Sequence, residues 1–195
     1  MIKRKMGKAN KIIGLDLDGV IIDHTENKLR VARDFGYVVS EKETASGIFE
    51  QKIPKEVREK IREIIYDDPV VSLTPPFMLG AEEGLRFIKE TGFPYYLISR
   101  RDPKDSAMIL LVKRGLWPFY FDETNTFFVS TKEEKNAKAK ELEISIYIDD
   151  EPGVIEKLVS VPARFLFDNH RVYEEKEGYK KIHTWQEFLE AAGLL

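Results

Sequence analysis

Cysteine is absent from the 195-residue sequence, which excludes disulfide cross-links and thiolate metal sites. The chain also lacks internal repeats and any apolar run approaching the roughly 18 residues that a membrane-spanning helix needs. A basic excess is missing as well, because the net charge is −3, and this argues against binding to a nucleic acid polymer. We therefore expect a cytoplasmic globular protein with no membrane association and no evident obligate protein partner.

The basic start of the chain superficially resembles a signal peptide, because four cations precede an apolar stretch: Lys3, Arg4, Lys5 and Lys8. Asp16 and Asp18 interrupt that stretch, and no small-residue cleavage site follows it. A signal peptide needs both an uninterrupted apolar segment and such a site. We interpret residues 1–10 as a solvated tail.

Residues 11–23 combine an apolar run of strand character with paired acids. Asp16 and Asp18 lie two positions apart, so their side chains point to the same side of a strand. Two carboxylates cannot be buried among apolar side chains without partners. The pair is therefore expected at the end of the strand, beside a cation or in a reaction site. Gly19 follows directly and permits a sharp turn of the backbone.

The segment 24–76 has helical patterns and no obvious strand. Helices are predicted from Glu26 to Phe35, from Ser40 towards Gln51 and from Pro54 to about Asp67, before a stiff Pro75-Pro76 link. We interpret residues 24–76 as a small helical cap inserted into a core made of residues 1–23 and 77–195. The alternative is that these helices pack directly on the main sheet.

From Gly80 onward, strands and helices alternate. Helices are predicted over about 80–91, from Asp102-Pro103 to Gly115, over 132–142, from Glu151 and over 184–192, and strands over 95–98, 126–129, 144–148 and 163–167. This alternation predicts an α/β, Rossmann-like core, a parallel sheet with helices on both faces. Ligands bind such sheets outside the carboxyl ends of the strands. Five polar residues follow predicted strands: Asp16, Asp18, Ser99, Asp149 and Asp150.

These side chains suit phosphoryl transfer. The acids at one sheet edge would repel one another unless a divalent cation neutralised them, and hard oxygen ligands without clustered histidine indicate Mg²⁺. Lys135, on the helix before Asp149, brings a positive charge to the same place. Ser99 offers a hydroxyl beside a helix N-terminus, where backbone N–H groups bind phosphate. A nucleophilic carboxylate, a second carboxylate and a phosphate cradle together indicate an aspartyl-phosphate mechanism.

Four motifs in chain order, Asp16-Leu-Asp18-Gly-Val, Ile98-Ser99, Lys135 and Ile148-Asp149-Asp150, resemble those of the haloacid dehalogenase (HAD) superfamily. The resemblance covers nearly the whole chain from Lys11. It implies a Rossmann-like core with a cap inserted after the first motif, in agreement with the helical segment 24–76.

The resemblance also implies roles. Asp16 would be the nucleophile and Asp18 the general acid/base, with the backbone carbonyl of Asp18 also facing Mg²⁺. Ser99 would hydrogen-bond the transferring phosphoryl group, and Lys135 would bridge phosphate and nucleophile. Asp149 and Asp150 would hold or orient the metal, which gives an expected metal set of Asp16, Asp18, Asp149 and Asp150. Family dehalogenases lack an acid at the position of Asp18, so Asp18 favours phosphate ester hydrolysis.

Several assignments stay open from the sequence. Lys132 and Lys138 share the helix of Lys135, with Lys132 the second choice for the motif lysine. Gly19, Arg100 and His24 are candidate substrate-binding residues. Arg100 and its neighbour Arg101 cannot both face inward, and His24 is equally consistent with a loop histidine near the cap.

The chain is also similar to the deoxyribonucleotidase-like branch of the superfamily, through Val161–Asn169 and Ile182-His183-Thr184-Trp185. The expected function is a Mg²⁺-dependent phosphatase acting on a small phosphorylated metabolite, with nucleotides favoured. The alternatives are a phosphatase or phosphomutase acting on sugar phosphates, a receiver-like phosphoaccepting module, and a non-catalytic protein of the same fold.

Overall fold

The computed structural model describes residues 11–102 and 104–195. The predicted tail of residues 1–10 lies outside the described residues, as does Pro103 at the start of the helix predicted from Asp102-Pro103 to Gly115. The strands are β1 (Ile13–Leu15), β2 (Tyr95–Ser99), β3 (Thr126–Phe128), β4 (Ile146–Asp149), β5 (Ala163–Phe167) and β6 (Lys180–Ile182). The helices are α1 (Thr25–Asp34), α2 (Phe49–Lys52), α3 (Lys55–Asp67), α4 (Ala81–Thr91), α5 (Lys104–Lys113), α6 (Lys132–Glu141), α7 (Pro152–Lys157) and α8 (Trp185–Ala191).

The strands form a six-stranded sheet in the order β3-β2-β1-β4-β5-β6, and every neighbouring pair is parallel. This confirms the predicted α/β, Rossmann-like architecture. Successive strand residues face opposite sides, so Leu97 and Ile148 pack in one apolar cluster, whereas Ile98 and Tyr147 pack in another. Helices α4, α5 and α8 contribute to the first cluster, and α6 and α7 to the second. The sheet is thus the middle of three layers.

The strand β6 is absent from the sequence-based prediction. It has three residues, pairs only with β5, and exposes Lys180 while burying Ile182. Its two lysines suit an edge strand, where charge discourages further pairing, but they conceal the apolar pattern by which a strand is recognised.

Residues 24–76 contain α1, α2, α3 and two short 3₁₀ turns, Glu41–Thr44 and Val71–Leu73. The single helix predicted from Ser40 is instead the first of these turns followed by the four-residue α2, although the predicted capping box between Ser40 and Glu43 is present. This segment has its own buried apolar cluster: Val31, Ala32, Phe49, Ile53, Ile61 and Ile65.

The two ends of the helical segment lie side by side. Asp23 N donates to Pro76 O over 2.9 Å, Met78 N donates to Ile21 O over 2.8 Å, and Ile22 forms an antiparallel bridge with Phe77. A chain that leaves and re-enters at neighbouring positions favours an inserted unit. The division into a core of 1–23 and 77–195 and a cap of 24–76 stays a prediction, and we use these names for the two parts.

Candidate active site

The carboxyl ends of β1, β2 and β4 bring the predicted residues together. Leu15 is in register with Leu97 on one side and Ile148 on the other, and Asp16 N donates to Ile148 O over 3.1 Å. Asp16 therefore lies between the ends of the two neighbouring strands. The six residues predicted as catalytic or metal-binding line one cavity, together with the three predicted substrate-binding residues: Asp16, Asp18, Ser99, Lys135, Asp149 and Asp150, with Gly19, His24 and Arg100.

Lys135 is the lysine that reaches the acids. Its Nζ lies 2.6 Å from Asp16 Oδ1 and 2.6 Å from Asp149 Oδ2, and the residue is 1% exposed. Thr131 caps the helix by accepting from Glu134 N, which fixes where α6 begins. Although burial opposes its charge, Asp149 and Asp16 raise the pKa of Lys135 well above its usual value. It is therefore a permanent cation between the two carboxylates.

The other two lysines of α6 have different partners. Lys132 pairs with Glu151, and Lys138 lies 2.6 Å from Glu141, one turn along its own helix. The sequence left the choice between Lys132 and Lys135 open, and the contacts favour Lys135.

Three carboxylates form a compact cluster: oxygens of Asp16, Asp149 and Asp150 all lie within 4.8 Å of one another. Burial raises the pKa of Asp16 well above its usual value, against the effect of Lys135 and with further contributions from Asp149 and Asp150. Burial and then the neighbouring Asp149 raise the pKa of Asp150 to about 7. When fully ionised, the cluster would carry three negative charges against the single positive charge of Lys135, and its hard oxygen donors fit Mg²⁺.

Gly19 has a packing role next to this cluster. Its φ of +83° is in the left-handed region that favours glycine, and a Cβ built there would lie 2.2 Å from Asp150 Oδ2. Asp150 also accepts a 2.6 Å hydrogen bond from Ser46 Oγ in the cap. The backbone at Gly19 therefore approaches closely enough to fix one side of the Asp150 carboxylate.

Asp18 is in a different environment from Asp16. Leu17 between them is fully buried, and both acids line the cavity, as the two-residue spacing predicts. However, β1 ends at Leu15, and Asp18 Oδ1 lies 2.6 Å from His24 Nε2 and 3.4 Å from Arg101 Nη1. The Asp18 carboxylate is outside the three-acid cluster, so its predicted metal contact rests on the backbone carbonyl, as the family resemblance implies.

The partners of Asp18 hold it as a carboxylate. Burial alone would raise its pKa, but Arg101 and then His24 outweigh burial, and the pKa is lowered. His24 is 3% exposed, and burial lowers its own pKa despite the contact with Asp18. A neutral His24 that donates from Nε2 to Asp18 carries no proton on Nδ1. This agrees with the lack of a hydrogen-bond partner for the buried Nδ1, because an N–H group there would be a buried donor without an acceptor. His24 is thus a buried partner of Asp18 and not a free loop histidine.

Of the two arginines after β2, Arg101 and not Arg100 is buried, with an exposure of 4%. Arg101 N donates to Ser99 Oγ over 3.1 Å, and its Nη2 donates to Tyr66 O over 2.8 Å. Arg100 is half-buried at the cavity and pairs with Glu151. The sequence named Arg100 as the substrate-binding arginine and gave no signal to distinguish it from its neighbour.

The Tyr66 ring joins the cap to the environment of Asp18. Its centroid lies 4.9 Å from the His24 ring in an edge-to-face arrangement and 5.2 Å from the Arg101 guanidinium. Both groups that contact the Asp18 carboxylate therefore contact Tyr66. The sequence did not single out this residue, because one tyrosine at the end of an amphipathic helix resembles an ordinary core residue.

The cavity has a volume of about 310 Å³, which is at the small end of ligand pockets. The cap lines it with Lys28, Arg58 and Arg62, and the loop after β5 lines it with Asn169, His170 and Tyr173. Asp168, which is 1% exposed, shapes that loop by accepting from Val172 N and Tyr173 N. None of these lining residues belongs to the four recognised motifs, and only Asn169 lies in a stretch that the sequence analysis singled out, so the sequence did not predict their position at the cavity.

No protein-family model matches the chain, and no curated protein matches it in sequence. Solved structures do. A HAD family hydrolase from Deinococcus radiodurans R1, determined with bound phosphate and sodium, is 16% identical with a TM-score of 0.61, over 95% of this chain and 97% of the other. A haloacid dehalogenase-like family hydrolase from Xanthomonas campestris is 16% identical with a TM-score of 0.65, over 99% and 94%.

A third similar structure is a proposed β-phosphoglucomutase from Thermotoga maritima, which is 18% identical with a TM-score of 0.59, over 95% of this chain and 99% of the other. Within the part of the chain that the structure describes, no helix is long and apolar enough to cross a membrane. The six-stranded parallel sheet, with its acids at the carboxyl edge, gives this chain the fold of the HAD family hydrolases.

Proposed function

We propose that the protein is a Mg²⁺-dependent phosphatase that hydrolyses a small phosphomonoester through an aspartyl phosphate on Asp16. One observation carries the proposal. Two acids separated by a single residue occupy opposite environments, since Asp16 contacts Lys135 beside two further acids whereas Asp18 contacts His24 and Arg101. Carboxylates whose pKa values are moved apart by their surroundings are typical of a nucleophile and an acid/base pair.

In the first step, a carboxylate oxygen of Asp16 attacks phosphorus. The bond from phosphorus to the leaving oxygen breaks, and the leaving alcohol takes a proton from Asp18. In the second step, water attacks the aspartyl phosphate and gives its proton to Asp18, which releases inorganic phosphate and restores Asp16. Lys135 and Ser99 would hold the transferring group, and this is supported by the contact of Lys135 with Asp16 and by the position of Ser99 at the end of the neighbouring strand.

Asp18 needs a proton for the first step and none for the second. Arg101 and His24 favour the carboxylate in the unliganded site, which is the form that accepts the proton of water. A phosphate dianion bound nearby opposes this effect, because a neighbouring negative charge raises the pKa of a carboxyl group. The same residue then serves as acid with substrate bound and as base afterwards.

Asp16, Asp149 and Asp150 would hold the magnesium ion, and the backbone carbonyl of Asp18 would face it. The ion would neutralise the cluster and the phosphate charge, which lowers the repulsion between an anionic nucleophile and an anionic substrate. The fit rests on the cluster of three carboxylates, two of them buried, and on the raised pKa values of Asp16 and Asp150, which indicate a missing positive charge.

Nucleotides are the favoured substrates, on the resemblance of the chain to the deoxyribonucleotidase-like branch. Sugar phosphates, as substrates of a phosphatase or a phosphomutase, are the second candidate. They are supported by the similarity to the Thermotoga maritima structure, which spans nearly both chains. In either case the partner is a small phosphorylated metabolite, and the cytoplasm remains the proposed location.

The test is phosphate release from nucleoside monophosphates and sugar phosphates, with Mg²⁺ and with EDTA, using the full chain and an Asp16→Asn control. We expect release that needs Mg²⁺ and is lost in Asp16→Asn. Release no higher than in the control would reject the enzyme and favour a non-catalytic protein. An aspartyl phosphate that forms and persists would indicate a receiver-like module. Phosphorus NMR distinguishes a phosphomutase, since the phosphate would move along the sugar without being released.

A further inference from the structure

The cations of the core that line or border the cavity are each paired with a carboxylate. Lys135 contacts Asp16 and Asp149, and Arg101 contacts Asp18. Arg100 and Lys132 both pair with Glu151. These cations have anionic partners within the protein, so their positions are explained without a ligand.

The cap cations differ. Lys28, Arg58 and Arg62 line the same cavity, yet among the described residues no carboxylate lies within 4.0 Å of any of them. Lys28 Nζ donates to Thr44 O over 2.8 Å, and Arg58 donates to the carbonyl of Glu50. The Arg62 guanidinium lies 5.9 Å from the centroid of the Tyr66 ring. Their donors are thus only partly used, and their charges are not neutralised by a close anion.

We call these three cap cations the row, because two of them lie in line with Tyr66 on α3, towards the candidate active site. Arg58, Arg62 and Tyr66 follow one another at four-residue intervals on α3, so they share one face of that helix. Tyr66, at the end of the row, contacts both His24 and Arg101 beside Asp18. Lys28 on α1 is near enough to lower the pKa values of Asp18 and Asp150.

Two cap acids also line the cavity, but neither neutralises the row. Glu50 Oε2 accepts from Gly47 N over 2.5 Å, and Glu59 pairs with Lys55 at 3.7 Å, with both of these side chains largely exposed. Three like charges around a small cavity repel one another, and an anion bound between them removes that repulsion.

We propose that Lys28, Arg58 and Arg62 bind a second anionic group on the leaving group of the substrate, a carboxylate or a second phosphate. This inference rests on the proposed function, because it takes the phosphate bound at Asp16 as the first anion. Among the nucleotides and sugar phosphates proposed as substrates, the inference favours compact members with a second acidic group, in keeping with a cavity of about 310 Å³. A phosphomonoester with an uncharged leaving group, such as a sugar monophosphate or a nucleoside monophosphate, would leave the cap cations without a partner.

Matched ligand pairs test the inference. 3-Phosphoglycerate differs from glycerol 3-phosphate in having a carboxylate, and fructose 1,6-bisphosphate differs from fructose 6-phosphate in having a second phosphate. Adenosine 3′,5′-bisphosphate and AMP form the nucleotide pair. Binding of each to the Asp16→Asn variant of this 195-residue chain with Mg²⁺ is measured by titration calorimetry, so that turnover is not needed. We expect at least one diacid to bind about tenfold more tightly than its partner, which corresponds to about 1.4 kcal/mol.

Variants assign the preference to the row. Arg58→Gln, Arg62→Gln and Lys28→Met should each reduce that preference, and the combined variant should abolish it. The matched controls are Arg30→Gln on α1 and Lys60→Met on α3, two exposed cations outside the cavity. These should retain the preference, and thermal melts of all variants verify that the fold is intact.

The outcomes separate this inference from the proposed function. Equal affinities within every pair, or a preference that survives the combined variant, would overturn the second-anion site. The proposed function would survive that result, because the protein would still hydrolyse phosphomonoesters with Mg²⁺. Conversely, wild-type protein without activity above Asp16→Asn would reject the phosphatase, whereas selective binding of the diacid would still support the site. A preference confined to carboxylates, or to phosphates, identifies the second group.

Discussion

His24 Nε2 lies 2.6 Å from Oδ1 of Asp18, and both side chains are enclosed between the carboxyl edge of the sheet and the cap. This contact holds the proposed acid/base carboxylate from a residue outside the recognised motifs. Because Tyr66 packs against the same imidazole, the position of Asp18 depends on where α3 lies.

Replacement of His24 should therefore impair turnover more than binding. For His24→Ala we expect kcat to fall by about 10–100-fold, the range for partners that orient a functional group, with KM changed by less than about threefold. His24→Asn, which keeps a donor, should recover part of kcat. Steady-state kinetics in Mg²⁺ would measure both constants, and an increase confined to KM would show that His24 binds substrate instead.

Loss of Lys135 should destabilise the fold. Lys135→Met leaves Asp16 and Asp149 buried without their cation, and removal of one partner of a buried ion pair costs about 3–5 kcal/mol. The matched control is Lys138→Met on the same helix, whose pair with Glu141 is largely exposed and worth less than about 1 kcal/mol. Urea unfolding without metal would measure both. Similar losses for the two variants would contradict the buried bridge.

Gly19→Ala should weaken magnesium binding as well as stability. The new Cβ would lie 2.2 Å from Asp150 Oδ2, and the φ of +83° adds backbone strain of about 1 kcal/mol. Gly36→Ala is the control, since Gly36 has a φ of +82° and nothing within 4 Å of a new Cβ. Both variants should lose stability in thermal melts, but only Gly19→Ala should weaken Mg²⁺ affinity. Equal Mg²⁺ affinities would show that Asp150 moves away freely.

Magnesium should stabilise the protein more at high pH. In the metal-free fold the pKa of Asp150 is raised to about 7 from its usual value of 3.8, so the folded state binds this proton more tightly than the unfolded chain does. Stability of the metal-free protein should consequently fall as pH rises from about 4 to about 7. Bound Mg²⁺ replaces this proton and removes the loss of stability at higher pH.

The gain in Tm with Mg²⁺ should thus be larger at about pH 8 than at about pH 5, as measured by differential scanning fluorimetry. Asp150→Asn should reduce the dependence of metal-free stability on pH. A larger gain at the lower pH would contradict a proton–metal competition at this cluster.

The sequence was sufficient for five of the six strands and for the polar residues at the carboxyl edge of the sheet. An apolar strand that ends in acids must place those acids at the edge of the sheet, because they cannot be buried among apolar side chains without partners. Asp16, Ser99, Lys135 and Asp149 all lie where the alternation of strands and helices predicts. The short edge strand β6 escaped prediction because Lys180 and Lys181 break its apolar pattern.

The surroundings of the acids were harder to predict. Arg100 and Arg101 are equivalent in sequence, and only the turn after β2 decides that Arg101 is buried. Tyr66 and Lys28 come from the cap, whose position on the core depends on packing between distant segments. Such contacts leave no periodic signal in the chain.

The adjoining ends of the cap segment have an evolutionary consequence. Asp23 and Pro76 are joined by a 2.9 Å backbone hydrogen bond, so the core needs only a closed junction there and does not depend on the length of chain between them. Loop closure costs little more for a long segment than for a short one. A different cap could be exchanged at this junction without altering the sheet, and new specificities could arise while Asp16 and its neighbours stay in place.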